Sequence, residues 1–456
     1  MTKAKVPRIL IGATGSGCGK TTLVCGILKA LQNRGMSLAS LKCGPDYIDP
    51  MFHKEVLGIS SGNLDLFFME EKGCIRALST NAAEAQAALV VIEGVMGYYD
   101  GLAGTSYRAS SYHVAQVTGT PAVLLVDGKG KSVSILAEIK GFLELEENSG
   151  IKGIILNRMT AHMYEEMKGL IEKRLPVVVL GYMPEMKDCV LESRHLGLVT
   201  AQEVGNLQEI LEKMGKQCEK TLDLDALIKL ANEASPLPSF PSSYGEKDTA
   251  IGIAMDPAFC FYYKDNLRLL EELGCRLIPF SPLRDKVLPP GIQGLYLGGG
   301  YPELHLPQLS ENQTMRDSIK KAVSEGMPTI AECGGFMYLQ EHIKDREGKA
   351  YPMVGAVEGD SFYRNKLVRF GYVTLTAKED TLLCKKGETI KGHEFHYWDS
   401  TENGASFYAE KPLRNKGWHC VKGNKTLYAG YPHVHFASNE NGAERFVSAC
   451  REANHV

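Results

Sequence analysis

The chain has 456 residues, 44% of them hydrophobic and 23% charged, with a formal net charge of -3. That length exceeds a single core and fits two to three domains, and without a basic surplus neither nucleic acid nor an anionic membrane is the expected partner. Twelve cysteines stand singly with no C-x-x-C pair, which argues against structural zinc and for reduced, mostly buried thiols.

Met1 to Pro7 is polar and basic, and the apolar run Ile9–Ile11 is too short for a signal peptide or membrane span, so the expected location is cytoplasmic. Short apolar runs then recur at Arg8–Gly12, Leu38–Gly44, Val90–Gly94, Ala122–Gly128, Ile151–Asn157 and Val177–Gly181. Amphipathic stretches lie between several of them, and this alternation predicts a parallel sheet covered by helices. In Thr22–Arg34 the residues Leu23, Val24, Ile27, Leu28 and Leu31 follow helical spacing, and Gly35 stands where a C-cap glycine belongs.

Between the first run and that helix lies Ala13-Thr14-Gly15-Ser16-Gly17-Cys18-Gly19-Lys20-Thr21-Thr22. Glycines let backbone N–H groups converge on phosphate oxygens, the helix N-terminus adds a favourable dipole, Lys20 supplies charge, and the Thr21 hydroxyl can ligate Mg2+. Gly15, Gly17, Gly19, Lys20, Thr21 and Thr22 are therefore the candidate nucleotide-binding residues. The strict phosphate-loop pattern has glycine at position 14; Thr14 makes this a variant loop. Asn157, closing a strand, is placed to read a purine edge or to form a turn.

Two acidic clusters follow at strand ends, where ligands bind in open α/β sheets: Lys42-Cys43-Gly44-Pro45-Asp46-Tyr47-Ile48-Asp49-Pro50 and Glu93-Gly94-Val95-Met96-Gly97-Tyr98-Tyr99-Asp100-Gly101. A carboxylate directly after a hydrophobic strand, as Glu93 is after Val90-Val91-Ile92, suits Mg2+ beside nucleotide phosphates, and Asp46 can share that role. Asp49 and Asp100 fit the same chemistry or a capping role.

The proline- and serine-rich stretch within 234–249 reads as a linker, dividing the chain into a 1–233 domain and a 250–456 domain. A second series begins with strands at Ile251–Met255, Gly294–Leu297 and Thr329–Ala331 and a helix at Lys264–Leu273. There an apolar strand leads into Glu332-Cys333-Gly334-Gly335 and a helical run, the layout of a nucleophile elbow. Such a turn lifts Cys333 out of the sheet at a helix N-terminus, which favours thiolate. Gly299 and Gly300, ending a strand, together with Gly334, are the candidate oxyanion-site residues. For the base, His433 and His435 stand two apart, so on one strand both would face the cysteine. His393 and His396, flanking Glu394, are weaker competitors for which a hydrogen-bonded structural role is reasonable.

With these residues in hand the chain resembles the cobyrinic acid a,c-diamide synthases, cobalamin-pathway amidoligases. Their N-terminal half is similar to dethiobiotin synthetase and their C-terminal half to a class I glutamine amidotransferase. The matching stretches are residues 15–22, 42–50, 93–101, Met-Asp-Pro-Ala-Phe-Cys-Phe-Tyr-Tyr at 255–263, Gly-Gly-Gly-Tyr-Pro-Glu at 298–303, and Glu-Cys-Gly-Gly-Phe-Met-Tyr-Leu at 332–339. The resemblance implies an α/β fold of two doubly wound domains, an N-terminal phosphate-loop parallel sheet and a C-terminal flavodoxin-type sheet. It implies ATP-dependent activation of the substrate's a- and c-acetate carboxylates as acyl phosphates, with ammonia released from glutamine at Cys333 and passed between domains. Asp46, Asp49, Glu93 and Asp100 are thereby assigned to Mg2+ and carboxylate activation, and Tyr47 becomes a substrate-side candidate. Class I amidotransferases commonly complete a triad with His-x-Glu; here the residue two after His433 is His435, so the resemblance is to the Cys–His branch and favours His433.

A nucleotide switch has no use for the elbow, and a plain glutaminase has none for the phosphate loop. The same chemistry on nickel-sirohydrochlorin, in the coenzyme F430 pathway, is the alternative that the motifs leave open. They leave open equally the order of the two amidations, the ammonia route and whether the chain forms a homodimer.

Overall fold

The computed structural model describes residues 3–189, 201–240 and 246–453, and the chain divides into two compact units, Met1–Pro241 and Ser242–Val456. Of the proline-rich stretch read as a linker, residues 241–245 lie outside the described residues. Leu237–Pro238, within it, pairs antiparallel with Lys3–Ala4.

The N-terminal unit is built on seven parallel strands: β1 (Arg8–Ala13), β2 (Leu38–Cys43), β3 (Ser60–Leu64), β4 (Leu89–Glu93), β5 (Ala122–Asp127), β6 (Ile151–Asn157) and β7 (Val178–Met183). Their spatial order is β3-β2-β4-β1-β5-β6-β7, every pair parallel. Helices cover both faces, so β1, β2 and β4 are buried along their whole length, which is why they read as apolar runs without alternation. From β1 the chain moves to β2 on one side, and from β4 to β5 on the other. The adjacent strands β1 and β4 thus form the switch point at whose carboxyl edge a ligand crevice opens.

Helix α1 (Lys20–Asn33) buries Leu23, Val24, Ile27, Leu28 and Leu31 in the main core. It ends as its sequence predicts: Gly35, with φ of 79°, donates to the Gln32 carbonyl and Met36 to the Leu31 carbonyl, a Schellman closure. Helix α2 (Ile48–Glu55) follows β2 and is short.

In the C-terminal unit β8 (Thr249–Ala254), β9 (Cys275–Phe280), β10 (Gly294–Leu297) and β11 (Thr329–Glu332) form a parallel sheet in the order β9-β8-β10-β11. It continues into Leu427–Gly430, parallel, and Lys422–Gly423, antiparallel. Helix α3 (Gly334–Leu339) springs directly from β11. One face of this sheet packs Leu295, Leu297 and Ala331 against Phe336, Met337 and Ile319. The other face packs Ile251, Ile253, Tyr296 and Ile330 against a five-stranded antiparallel sheet contributing Val373, Leu375, Ile390 and Phe407. That second sheet, centred on β12 (Arg369–Ala377) and β13 (Thr389–His396), is an addition to the doubly wound plan. It carries β14 (His433–Val434) on its edge, with His433 opposite His393.

Candidate active sites

The carboxyl edge of the N-terminal sheet gathers most of the predicted nucleotide-site residues. Gly17 and Gly19 hold φ of 74° and 85°, conformations open to glycine at no cost, and a Cβ at Gly19 would stand 2.5 Å from the Asn157 amide nitrogen. That nitrogen donates to the Cys18 carbonyl at 2.7 Å, so Asn157 braces the phosphate loop from β6. Thr14, where the strict pattern has glycine, lies 3.7 Å from the Cys18 sulfur through its hydroxyl. Lys20 opens α1 and donates to the Met96 carbonyl at 2.6 Å, while Tyr98 N donates to Ala13 O at 2.8 Å. The second acidic cluster is thereby laid alongside the phosphate loop.

Glu93 ends β4 with no exposed surface. Its Oε1 accepts from the Thr21 hydroxyl and from Lys42, both at 2.7 Å, while its Oε2 is buried without a hydrogen-bond partner. Burial, opposed by Lys42 and aided by Asp49, pushes its carboxyl up to about 7. Lys42 also contacts Asp49 at 2.6 Å; against the cost of burial, the Lys42 cation holds Asp49 below the usual carboxylate range. Asp46, half-buried next to Asp49, is raised to about 6 by desolvation and by Asp49, and its Oδ1 accepts from Ile48 N at 2.8 Å. Tyr47 sits between these acids, just before α2.

An orphaned carboxylate oxygen beside a threonine hydroxyl fits a hard, oxygen-seeking cation such as Mg2+. Among the described residues no group of three or more His, Cys, Asp or Glu stands in metal-holding geometry. The cation would therefore be held by one or two protein oxygens together with nucleotide phosphates, as Mg2+ usually is. Asp100 takes the capping alternative: it is exposed and its Oδ2 accepts from Gly97 N at 2.8 Å, fixing the turn. Thr22, half-buried, lies in the first turn of α1.

Two buried residues escaped the sequence reading. Lys42 ties Glu93 to Asp49, and its signal was a cation inside an otherwise apolar strand. His53, on α2, has Nδ1 2.8 Å from the Ser40 hydroxyl and Nε2 4.0 Å from Glu93, and burial lowers it to about 4.

In the C-terminal unit Cys333 joins β11 to α3 with φ of 48° and ψ of -101°, a strained conformation for a residue with a side chain. Its N–H donates to Gly430 O at 2.8 Å. Both following glycines are required by space. A side chain at Gly335 would overlap the Leu297 carbonyl, and one at Gly334 would begin 2.9 Å from Pro302 and 3.1 Å from Gly300 N. Gly300 N thus lies close to the elbow, and the loop is anchored by Cys260 N and Phe261 N, which donate to Gly299 O at 2.9 and 3.0 Å. Against the thiolate favoured by a helix N-terminus, burial first, then Glu303, pushes the Cys333 thiol up, and α3 has only six residues to oppose this.

His433 packs directly on Gly299, where any side chain would meet its ring. Its Nδ1 lies 3.8 Å from Glu332 Oε2, and burial lowers it to about 3. His435, two residues on in extended backbone, caps a 3-10 turn, its Nδ1 accepting from Ala437 N at 3.3 Å, with its ring 4.9 Å from that of Tyr263. His396 stacks on Tyr431 at 3.9 Å and its Nδ1 faces Trp398 O at 2.6 Å, while His393 is half-buried opposite His433. Glu332 is the third residue missed, again a charged group closing an apolar strand.

Known families match the chain in both units. Residues 9–198 match the CobQ/CobB/MinD/ParA nucleotide binding domain, and residues 250–441 the CobB/CobQ-like glutamine amidotransferase domain. The cobyrinate a,c-diamide synthase of Caldanaerobacter subterraneus subsp. tengcongensis is 41% identical over 97% of this chain and 98% of its own length. Those of Thermoplasma volcanium (37%, 98% of each chain) and Salmonella typhimurium (38%, 97% of this chain and 98% of its own) are similar throughout as well. Two domains of matching kind in matching order, with identity running nearly end to end, show that the chain belongs to the cobyrinate a,c-diamide synthase family of glutamine-dependent amidating ligases.

Proposed function

We propose that this chain converts the a- and c-acetate carboxylates of cobyrinic acid to amides, consuming ATP and glutamine. The observation that carries the reading is the 41% identity over 97% of the chain to a cobyrinate a,c-diamide synthase. In the N-terminal unit the glycine loop and Lys20 would bind the nucleotide phosphates, with Thr21, Glu93 and Asp46 as the oxygen donors for Mg2+. The bound cation would supply charge neutralisation on the phosphates. A substrate carboxylate oxygen attacks the γ-phosphorus, ADP leaves, and an acyl phosphate results. Ammonia then attacks the acyl carbon and phosphate departs with the bonding electrons. Asp49 and Tyr47 are proposed on the substrate side of this site; Asp100 acts through the turn it holds.

In the C-terminal unit Cys333 Sγ attacks the glutamine side-chain carbonyl as His433 takes its proton. His433 returns that proton to the departing nitrogen, the C–N bond breaks, and ammonia leaves a thioester that water hydrolyses to glutamate. Gly300 N, close to the elbow, would help to stabilise the oxyanion. The domain limits of 1–233 and 250–456, and a cytoplasmic location, complete the proposal. No helix among the described residues is long and apolar enough to cross a membrane.

Cys333→Ser tests the division of labour. Glutamine-driven synthesis should vanish while synthesis from ammonium salts persists. Equal loss with both nitrogen sources would contradict separate sites.

A further inference from the structure

A triad histidine needs a partner on its far nitrogen, which fixes the tautomer and leaves Nε2 free to accept a proton. The slot two residues after His433, where that partner commonly stands, holds His435, engaged with Ala437 N and the Tyr263 ring. A carboxylate reaches His433 from another direction. Glu332, the residue immediately before the nucleophile, closes β11 with 1% of its surface exposed, and its Oε2 stands 3.8 Å from His433 Nδ1. Two further contacts fix it: Tyr296 donates its hydroxyl to Oε2 at 3.0 Å, and Val434 N donates to Oε1 at 2.9 Å. The Val434 bond ties the carboxylate to the strand that bears His433, so the two side chains keep register with each other.

We propose that Glu332 positions His433 for the glutaminase step, filling from the nucleophile strand the role that an acid two residues beyond the histidine plays in a triad. The inference rests on the reading of Cys333 and His433 as the glutaminase pair. The proton moves from Cys333 Sγ to His433 Nε2 as the S–C bond forms, and then to the departing ammonia. Glu332 keeps no proton. It accepts the Nδ1 hydrogen and stabilises the imidazolium, closing the 3.8 Å gap as charge develops.

An acceptor must be ionised, which gives the role a pH signature. Burial raises Glu332 to about 8, opposed by the bonds from Val434 N and Tyr296. The other groups facing it are Cys333, Tyr262, Tyr428 and His433 itself. Burial, then His393 and His396, hold His433 at about 3, so its own titration lies far below this range. Glutamine hydrolysis should therefore fall as pH drops through about 8, with Glu332 setting that limb.

The test is glutamate release by the full-length chain as a function of pH, with ammonium-driven amidation as the fold control. Glu332→Gln should lose glutaminase kcat on the order of 100-fold, abolish the acidic limb, and leave ammonium-driven amidation intact. Activity within about threefold of the parent with the limb unchanged would overturn the proposal. Should Glu332→Gln lose ammonium-driven amidation as well, Tyr296→Phe decides. Removing a bond to the ionised carboxylate must move the limb to higher pH, and an unmoved limb overturns the proposal. A Cys333→Ser chain that still hydrolyses glutamine would sink the cysteine reading and this inference together. An inert Cys333→Ser beside an unaffected Glu332→Gln sinks the inference alone.

Discussion

A carboxylate as deeply buried as Glu93 is tolerable only where its charge is met, and Lys42 and Thr21 meet it at 2.7 Å each on one oxygen. The other oxygen is left for a cation, so Glu93→Gln should lower amidation from glutamine and from ammonium alike, on the order of 100-fold. Steady-state rates with each nitrogen source check this, and a loss confined to glutamine would contradict it. Lys42→Met has a different signature. It leaves Glu93 and Asp49 as unpaired neighbouring acids, which should cost about 3 kcal/mol of stability, read by denaturant unfolding. Lys20→Ala removes charge from the phosphate loop and should weaken nucleotide binding without that loss of stability.

At the scale of elements, both candidate sites are built on strand-to-helix turns, and at Gly19, Gly334 and Gly335 a side chain would meet a neighbouring atom. Gly335→Ala forces a methyl group onto the Leu297 carbonyl and should destabilise the C-terminal unit by about 2 kcal/mol or more. A thermal melt within a degree of the parent would show that the turn relaxes. These turns were legible in the sequence because glycine spacing, an apolar strand and a following helix coincide there. Strand β3 was not: Ser60-Ser61-Gly62-Asn63-Leu64 holds one large apolar residue and becomes a strand through pairing with β2. The antiparallel sheet was missed for another reason. Inward-facing Val373, Leu375 and Ala377 alternate with half-buried neighbours, a period-two signal that a search for continuous apolar runs passes over. Site residues followed the same logic. Cys333 and Glu93 announce themselves by position, whereas Lys42, His53 and Glu332 gain meaning only from partners far away in sequence. His433 lies against Gly299 and Glu332 while His435 caps a turn beside Tyr263, a difference that their spacing alone does not reveal.

Over the whole molecule, buried titratable groups shape stability as well as catalysis. Glu93, Glu332 and Glu394 are raised by burial from 4.5 to between about 7 and about 8, so the folded chain binds more protons than the unfolded one across that window. Their contribution to stability falls as pH rises through it. His53, His393, His396, His433 and His435 are lowered by burial from 6.5 to about 3 or 4. The unfolded chain takes up their protons first, so their own contribution to stability falls as pH drops below about 6.5. Above pH 6.5 only the buried acids among these groups still titrate, so melting temperature should fall from pH 6.5 to 8; a steady rise over that range would contradict the assignment of buried acids. The central claim, that two sites cooperate to amidate a tetrapyrrole, is tested most directly by mass spectrometry of the product. Purified protein with ATP, Mg2+ and glutamine would be offered cobyrinic acid and nickel-sirohydrochlorin in separate tubes. The account predicts a product lighter by two hydroxyl-to-amino exchanges in the cobyrinic acid tube alone. A shift only in the nickel tube, or none in either while glutamine and ATP turn over, would contradict it.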